Sequence, residues 1–241
     1  MLLKNLFRKK KRSFLERLDP AYEFKYALEY AQQICEEERT KEDQILILDY
    51  MLSVIREDLK YDMLTNILYR EKWFDKDLRI PLPFPYYYYN EEGIRFSIYE
   101  TDAEKKAIDL SNECVLVFPW HREKMRESIK NIGRNEFIYQ KNNHKAYYFS
   151  PVNICFVYNG MHSIAAGVGF KKGHIKATEY DVSKLYDHVY TDGVWWYNRH
   201  SNQRLDDLLD FRIGIIYEIS KMKYQIEKEK LGNNHSAHYA E

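Results

Sequence analysis

The spacing of hydrophobic residues along the chain predicts helices first, then strands, then a final helix. In the first part, hydrophobic residues recur at steps of three and four, which is typical of an amphipathic helix. The clearest run is Ile45, Leu48, Leu52, Ile55 and Leu59, continuing toward Met63 and Ile67. Asp19 followed by Pro20 is a helix-start signal, and a weak capping box lies at residues 40–43. We therefore expect an antiparallel helical pair near residues 20–38 and 41–70.

A connector rich in proline and tyrosine separates these helices from a region of strands. Pro81, Pro83 and Pro85 exclude a helix and favour an extended path, so residues 81–93 are predicted to be a connector. From about Ile94 onward, short runs of β-branched and aromatic residues are typical of strands. The predicted strands are RFSIYE, CVLVF, EFIYQ, AYYF, NICFVY and HIKATEYDV.

Two further helices are predicted within and after this region. The segment HREKMRESIKNIG has an apolar face, and Gly133 is its predicted C-cap. Residues from Ser201 to about Lys228 carry leucine and isoleucine on one face and predict the last helix. These elements indicate an α+β fold, with N-terminal helices and a long C-terminal helix packed around a small mixed sheet.

Shifts in composition divide the chain into six segments. They are a basic tail (1–18, expected to be flexible), an N-terminal helical segment (19–80), the connector (81–93), an α/β core (94–190), an aromatic segment with the C-terminal helix (191–230) and a polar tail (231–241). The basic tail lacks the apolar stretch of a signal peptide. It is interpreted as a solvated terminus, with contact to a membrane surface or a nucleic acid as the alternative.

Composition narrows the classes of function. The 37 basic residues are balanced by 37 acidic ones, whereas a protein that binds duplex DNA usually carries a basic excess. Cys35, Cys114 and Cys155 form no C-x-x-C pair, which argues against a disulfide scaffold or zinc cluster and favours the cytoplasm. No apolar run approaches the roughly 20 residues that span a bilayer. The histidines lack metal-motif spacing, so no metal site is expected.

The segment VYNGMHSIAAGVGF, residues 157–170, is the strongest candidate for a site. An apolar strand leads into Asn159-Gly160, where glycine allows a tight reversal. A helix that starts there would direct its free N–H groups and positive dipole end at a ligand above the turn. His162 can donate a hydrogen bond and is also a weak catalytic candidate, while Ser163 can cap the helix or contact a phosphate. The alternative interpretation is a tight corner within the core.

Two short motifs resemble the ParB/sulfiredoxin-like domain. In that family a helix with an SI...G pattern precedes strands, and a later strand ends in a G-x-H-R-x-x-A-A turn that opens a helix. The matching residues here are Ser128, Ile129 and Gly133, then Gly160, His162, Ala165 and Ala166. The resemblance implies that residues 94–190 form a ParB/sulfiredoxin-like core. It also implies a nucleotide or another phosphorylated ligand held by Asn159, Gly160, His162 and Ser163.

The chain departs from that pattern at two positions. Ser163 stands where the family has an arginine that would clamp phosphate. Arg122, Lys124 or Arg126 on the preceding helix are the candidates to supply the missing charge. Met161 stands where the sulfiredoxin branch has its reactive cysteine, which excludes sulfiredoxin chemistry. The whole chain also resembles a bacterial and phage family known only as a domain of unknown function.

Three functional hypotheses follow. The first is binding of a nucleotide or other phosphorylated ligand at the glycine turn, with little or no turnover. The second is a non-enzymatic interaction protein of a phage or mobile element, which the 22 tyrosines and the proline strap favour. The third is a nuclease or phosphotransferase in which His162 works with Asp181 or Glu179 and a metal. The sequence leaves open the cofactor, the oligomeric state and whether the protein is an enzyme.

Overall fold

The structure, a computed structural model, describes residues 19–69, 80–99 and 104–237, with side chains up to residue 231. The helices are α1 (Pro20–Glu37), α2 (Lys41–Tyr69), α3 (Arg122–Arg134), α4 (Met161–Phe170) and α5 (Phe211–Ala237). The strands are β1 (Tyr87–Tyr89), β2 (Arg95–Ser97), β3 (Lys105–Asp109), β4 (Cys114–Leu116), β5 (Lys145–Ser150), β6 (Ile154–Asn159), β7 (His174–Asp181), β8 (Val189–Thr191), β9 (Trp195–Asn198) and β10 (Arg204–Asp207). The predicted basic tail, 1–18, lies outside the described residues.

A mixed sheet lies at the centre of the fold. Within the described residues it has five strands in the order β3-β7-β5-β6-β4. β5 and β6 form an antiparallel hairpin, β7 runs parallel to β5, and β4 runs parallel to β6. A hairpin of β1 and β2 and a small antiparallel sheet of β8, β9 and β10 lie outside it. The architecture is α+β with a long C-terminal helix, which confirms the predicted fold class.

Each face of the main sheet is covered by its own hydrophobic cluster. On β6, Ile154 and Phe156 belong to the cluster that includes α1, α2 and α5. Cys155 and Val157 belong to the cluster that includes α3 and α4. Side chains alternate between the two faces of a strand, so a strand covered on both faces is apolar at every position. This is why residues 154–157 of β6, ICFV, are hydrophobic without interruption.

A buried arginine joins α5 to α2. Arg212 is 4% exposed, and its guanidinium donates to Asp58 at 2.8 Å and to Asp62 at 2.6 Å. Asp210 accepts a further hydrogen bond from it at 2.8 Å. Burial opposes the charged form, but the bonds to these carboxylates, Asp210 foremost, hold the pKa of Arg212 above its ordinary value. The carboxylates thus compensate a charge that would be costly to bury alone.

The last helix differs from its prediction at both ends. It begins at Phe211 rather than Ser201 and continues to Ala237, beyond the predicted end near Lys228. Part of the intervening stretch forms β10, which pairs with β9. The carboxylate of Asp210 then accepts from the backbone N–H of Arg212 at 2.9 Å, at the start of the helix. Leucines before Phe211 pack against the same cluster as α5, so apolar spacing alone did not mark the boundary.

The predicted strand EFIYQ is a loop. Residues 136–140 pair with no strand in the described part of the chain. Phe137 instead packs on His144, with ring centroids 5.0 Å apart, and Ile138 is 72% exposed. Local apolar character was present, but a strand also needs a neighbour to accept its backbone hydrogen bonds, and no neighbouring strand provides one here.

The predicted C-cap Gly133 lies inside α3. The helix ends at Arg134, and Asn135 is its C-cap, with an N–H that donates to the Asn131 carbonyl at 2.9 Å. A Cβ atom at Gly133 would lie 3.0 Å from the Phe170 ring of α4. The glycine therefore allows α3 and α4 to pack closely and does not terminate the helix.

The aromatic segment before α5 is used for packing at its central residue. Trp196 is fully buried, with its ring centroid 5.0 Å from that of Tyr217 on α5 and 5.9 Å from that of Phe84. Trp195 is only half-buried and lies against the guanidinium of Arg204. The structure therefore places Trp196 in the core, where it cannot stack on a nucleic-acid base.

The close packing of α4 makes Gly167 sensitive to one added methyl group. A Cβ atom there would lie 2.7 Å from Leu110 Cδ1 and 3.0 Å from the Lys172 carbonyl oxygen, so Gly167→Ala should destabilise the protein by about 1–3 kcal/mol. On the same helix, a Cβ atom at Gly169 would meet no described heavy atom within 4 Å. Gly169→Ala should be neutral or stabilise by up to ~1 kcal/mol. Urea unfolding measures both, and equal midpoints would contradict the packing.

Candidate functional site

Two helices begin side by side at one edge of the main sheet. β4 leads through a short connection into α3, and β6 leads through Gly160 into α4. β4 and β6 are parallel neighbours, in register from Cys114 opposite Ile154 to Leu116 opposite Phe156. The carboxyl ends of parallel neighbours lie at the same edge of a sheet. Both helix N-termini therefore meet there.

The backbone conformation and the close packing of the turn at Gly160 both favour glycine at this position. Its φ of 79° and ψ of 23° are left-handed, a conformation that other residues adopt at a cost of about 1–2 kcal/mol. A Cβ atom would also lie 2.7 Å from His144 Cδ2 and 2.9 Å from the Asn143 carbonyl oxygen. The carbonyl of Gly160 accepts from the N–H of Ile164 at 3.1 Å, which is the first helical bond of α4. The turn is therefore both tight and closely packed.

The first turn of α4 faces an open cleft of about 860 Å³. Within the described chain, no side chain forms a capping hydrogen bond at the Gly160 N-cap of α4. The walls are one face of α3, the loop that follows it, the end of β6 and the start of α4. The lining residues are Trp120, Lys124, Glu127, Ser128, Asn131, Ile132, Asn135, Glu136, Ile138, Gln140, Asn143, His144, Tyr158, Asn159, Gly160, Met161, His162 and Ser163.

His162 is held as a neutral hydrogen-bond donor. Its Nε2 accepts from the backbone N–H of His121, the N-cap of α3, at 3.1 Å. Burial, then the charges of Lys124 and His121, lower the pKa of His162 to about 4. A neutral imidazole that accepts at Nε2 carries its proton on Nδ1. The available polar group of the ring is therefore an N–H donor, and its basic nitrogen is already occupied.

Ser163 and His144 form a short hydrogen-bond chain behind the turn. The Nδ1 of His144 accepts from the backbone N–H of Gln140 at 3.1 Å, which leaves the proton on Nε2. That nitrogen lies 2.9 Å from the Ser163 hydroxyl, so the imidazole donates and the serine accepts. The hydroxyl in turn donates to the Gly160 carbonyl at 3.1 Å. Burial lowers the pKa of His144, which favours the neutral ring that this chain requires.

Comparison with known proteins identifies a family but no activity. Residues 7–230 match a family described as being of unknown function, DUF6710. The chain belongs to this family. No curated protein and no solved structure matches it. The DUF6710 match covers most of the chain and supports the predicted family of unknown function. It carries no ParB/sulfiredoxin-like signal, so that resemblance stays a prediction.

The predicted ligand residues of this DUF6710 chain lie in two places. Asn159, Gly160, His162 and Ser163 all line the cleft. Arg122 and Arg126 do not line it. The site therefore brings together the residues that are consecutive in the sequence, at the end of β6 and the start of α4.

The two arginines lie on other faces of α3. The Nε of Arg122 donates to the Ile67 carbonyl of α2 at 3.1 Å. Arg126 is exposed and pairs with Glu123 at 3.8 Å. Lys124 lines the cleft instead, because it shares a helix face with the cleft residues three to four positions further along. Its Nζ lies 5.3 Å from the centroid of the Trp120 ring.

The structure does not bring Asp181 or Glu179 to His162, as the third hypothesis requires. Asp181 pairs with Ser150 at one end of β5, whereas Lys145 at the other end pairs with Asn159 beside the cleft. The carboxylate of Asp181 accepts from the Ser183 N–H at 2.9 Å. Glu179 is opposite Tyr148 on the same strand pair and also does not line the cleft. Along β5, Asp181 is therefore five residues and Glu179 three residues from the end that lies beside the cleft, about 17 Å and 10 Å at 3.3 Å per residue.

No group of three or more histidine, cysteine, aspartate or glutamate side chains in the described chain could hold a metal ion. Among the described helices, none is long and apolar enough to cross a membrane.

Sequence reasoning missed most of the opposite wall of the cleft. Ser128, Asn131 and Asn135 line it together with Lys124, and their steps of three and four were a signal for one polar helix face. Gln140 and Asn143 come from the loop that was predicted to be partly a strand. No local pattern marks these loop residues, because the fold of the loop depends on its contacts with His144.

Protonation of His162 should destabilise the fold between about pH 6.5 and pH 4. The ordinary pKa of histidine is about 6.5, and that of folded His162 is about 4. In this window the unfolded chain binds more protons, so stability is lost as the pH falls. His162→Gln keeps an acceptor for the His121 N–H but does not titrate. Its free energy of unfolding, measured in urea at a series of pH values, should fall less than that of the wild type. Parallel curves would contradict the neutral assignment.

Proposed function

We propose that this protein binds a nucleotide or another phosphorylated small molecule in the cleft at the start of α4, without turning it over. One observation supports this most strongly: the uncapped first turn of α4 faces the same cleft as Lys124 and His162. A helix N-terminus favours anions because its N–H groups lack partners and its dipole end is positive. The ParB/sulfiredoxin-like resemblance of the glycine turn agrees with such a ligand.

Three kinds of donor among the residues that line the cleft would bind the phosphate. The backbone of the first α4 turn supplies N–H groups, the His162 ring supplies Nδ1–H, and Lys124 supplies a full positive charge. Hydrogen bonds to a charged acceptor are each worth about 1.5–3 kcal/mol. In this proposal Lys124 supplies the positive charge that an arginine after the histidine provides in the ParB/sulfiredoxin-like pattern. It carries charge but lacks the forked geometry of a guanidinium.

Binding is favoured over catalysis because the basic atoms of the corner are occupied. General-base catalysis requires a free lone pair within reach of the proton to be removed. The Nε2 of His162 faces the His121 N–H, and the Nδ1 of His144 faces the Gln140 N–H. The Ser163 hydroxyl receives a hydrogen bond from His144 and donates to the Gly160 carbonyl, which is opposite to the arrangement of an activated serine nucleophile.

A cytoplasmic location belongs to the same proposal. Cys35, Cys114 and Cys155 are free thiols, and free thiols persist in a reducing compartment.

Replacing Lys124 should weaken anion binding without harming the fold. With AMP as the probe at low salt, Lys124→Gln should raise the Kd by about fivefold, because one charge-assisted contact is lost. Lys130→Gln is the matched control, since Lys130 is exposed on the same helix and does not line the cleft. Isothermal titration calorimetry measures both variants.

The proposal itself is tested on the wild-type protein by thermal unfolding with AMP, glucose 6-phosphate and inorganic phosphate. A ligand that binds only the folded state raises the Tm according to its concentration relative to the Kd. No rise with any of the three at several millimolar would contradict phosphate binding.

A non-enzymatic interaction protein of a phage or mobile element is the second candidate function. Exposed side chains favour it: Tyr22, Tyr26 and Tyr30 are 53–59% exposed at steps of four along α1. Leu46, Tyr50 and Val54 are 50–70% exposed at the same steps along α2. Rows of this kind are neighbours on a helix surface and are typical of contact surfaces. This function would not require any ligand-induced rise in Tm, which separates it from the first candidate.

A further inference from the structure

We propose that the cleft selects a ligand with one phosphate monoester on a hydroxyl-rich body, such as a sugar phosphate or a nucleoside monophosphate, and discriminates against polyphosphates. This inference rests on the proposed function, because it assumes that a phosphate occupies the start of α4. Its evidence is the distribution of charged side chains and of asparagine and glutamine side chains over the cleft walls.

The charged side chains of the cleft suit one phosphate and oppose several. Among the described lining residues, Lys124 is the one lysine or arginine, and Glu127 and Glu136 are the acidic residues. The side chains therefore sum to one positive and two negative charges, with His162 neutral. Lys124 supplies one positive charge and the start of α4 adds about half a charge, which together offset most of the charge of one phosphate dianion. Each further phosphate would add negative charge to a cleft without a second cation and with two carboxylates.

The remaining polar groups suit hydroxyls. Carboxamide side chains line the two walls of the cleft. Each can donate and accept hydrogen bonds, as a sugar hydroxyl can. They are Asn131, Asn135, Gln140, Asn143 and Asn159, with the Ser128 hydroxyl among them. The carboxylates of Glu127 and Glu136 accept hydrogen bonds and match hydroxyl donors. Asn135 already donates to the Asn131 side chain at 3.0 Å, and Asn143 donates to that of Gln140 at 3.4 Å. The partners of a hydroxyl-rich body would be the hydrogen-bonding positions that these two pairs leave free.

The α3 side of the cleft is also long enough to contact a ligand body attached to the phosphate. The lining residues of α3 run from Lys124 to Asn135, a rise of about 16 Å at 1.5 Å per residue. One phosphate at Lys124 would leave most of this wall for the rest of the molecule. Trp120 and Tyr158 are 40% and 41% exposed in the same cleft. Their apolar faces can cover the carbon face of a sugar or a nucleobase ring.

The first experiment compares ligands on the full wild-type chain by isothermal titration calorimetry. The probes are AMP, glucose 6-phosphate, ATP and inorganic phosphate, with EDTA present and the ionic strength held constant. At least one of the two monoesters should bind tenfold or more tightly than both ATP and inorganic phosphate. The difference between AMP and glucose 6-phosphate distinguishes a nucleoside from a hexose as the body.

Each other outcome has a defined meaning. ATP binding as tightly as both monoesters would overturn the inference about charge and leave the proposed function standing. Inorganic phosphate binding as tightly as both monoesters would overturn the hydroxyl-rich body. Absence of binding by all four probes would contradict the proposed function itself. Adenosine and glucose, which carry no phosphate, are the control ligands, and binding of either as tight as that of its phosphate ester would also contradict the proposed function.

The second experiment changes the charge of the wall. Glu127→Gln and Glu136→Gln each remove a negative charge from the cleft and keep the shape of the side chain. Each should tighten ATP binding by about threefold or more relative to AMP. Glu123→Gln is the matched control, because Glu123 is 73% exposed on α3 beside Arg126 and does not line the cleft. An ATP-to-AMP ratio that changes equally in all three variants would overturn the assignment of these carboxylates.

Discussion

The parallel pairing of β4 with β6 is the constraint on which the candidate site depends. It directs two chain segments toward the same edge of the sheet, where each turns back as a helix. The N–H at the start of α3 thereby reaches the imidazole at the start of α4. Without that pairing, His121 and His162 would have no reason to meet, because 40 residues lie between them. The cleft is a consequence of sheet topology.

Hydrogen bonding at this corner divides the polar atoms into two sets. The acceptor nitrogens of both histidines face backbone N–H groups inside the protein, and the Ser163 hydroxyl is used to hold the turn. The second set is the Nδ1–H of His162, a donor that these bonds leave free. This division supports the proposed binding of an anion, because the ring nitrogens of both histidines that could take up a proton already accept hydrogen bonds.

Close packing on both sides of the sheet holds the corner in place. Glycines at 133, 160 and 167 allow contacts that a Cβ atom would obstruct. On the opposite side, α2 and α5 are joined through the buried guanidinium of Arg212 and its carboxylate partners. The strand that ends at the site, β6, is buried by both clusters over most of its length. The packing of both clusters against β6 therefore fixes the position from which Gly160 and α4 continue.

The sequence alone determined the features that depend on neighbouring residues. Helical spacing and a proline start predicted α1 and α2 to within one residue at their ends, and the order strand, glycine turn, helix around Gly160 was also predicted. Only the tertiary structure decided the rest. It placed Lys124 rather than an arginine beside His162, turned residues 136–140 into a loop and started α5 at Phe211. These outcomes depend on which distant segments pair and pack, and local spacing carries no record of such partners.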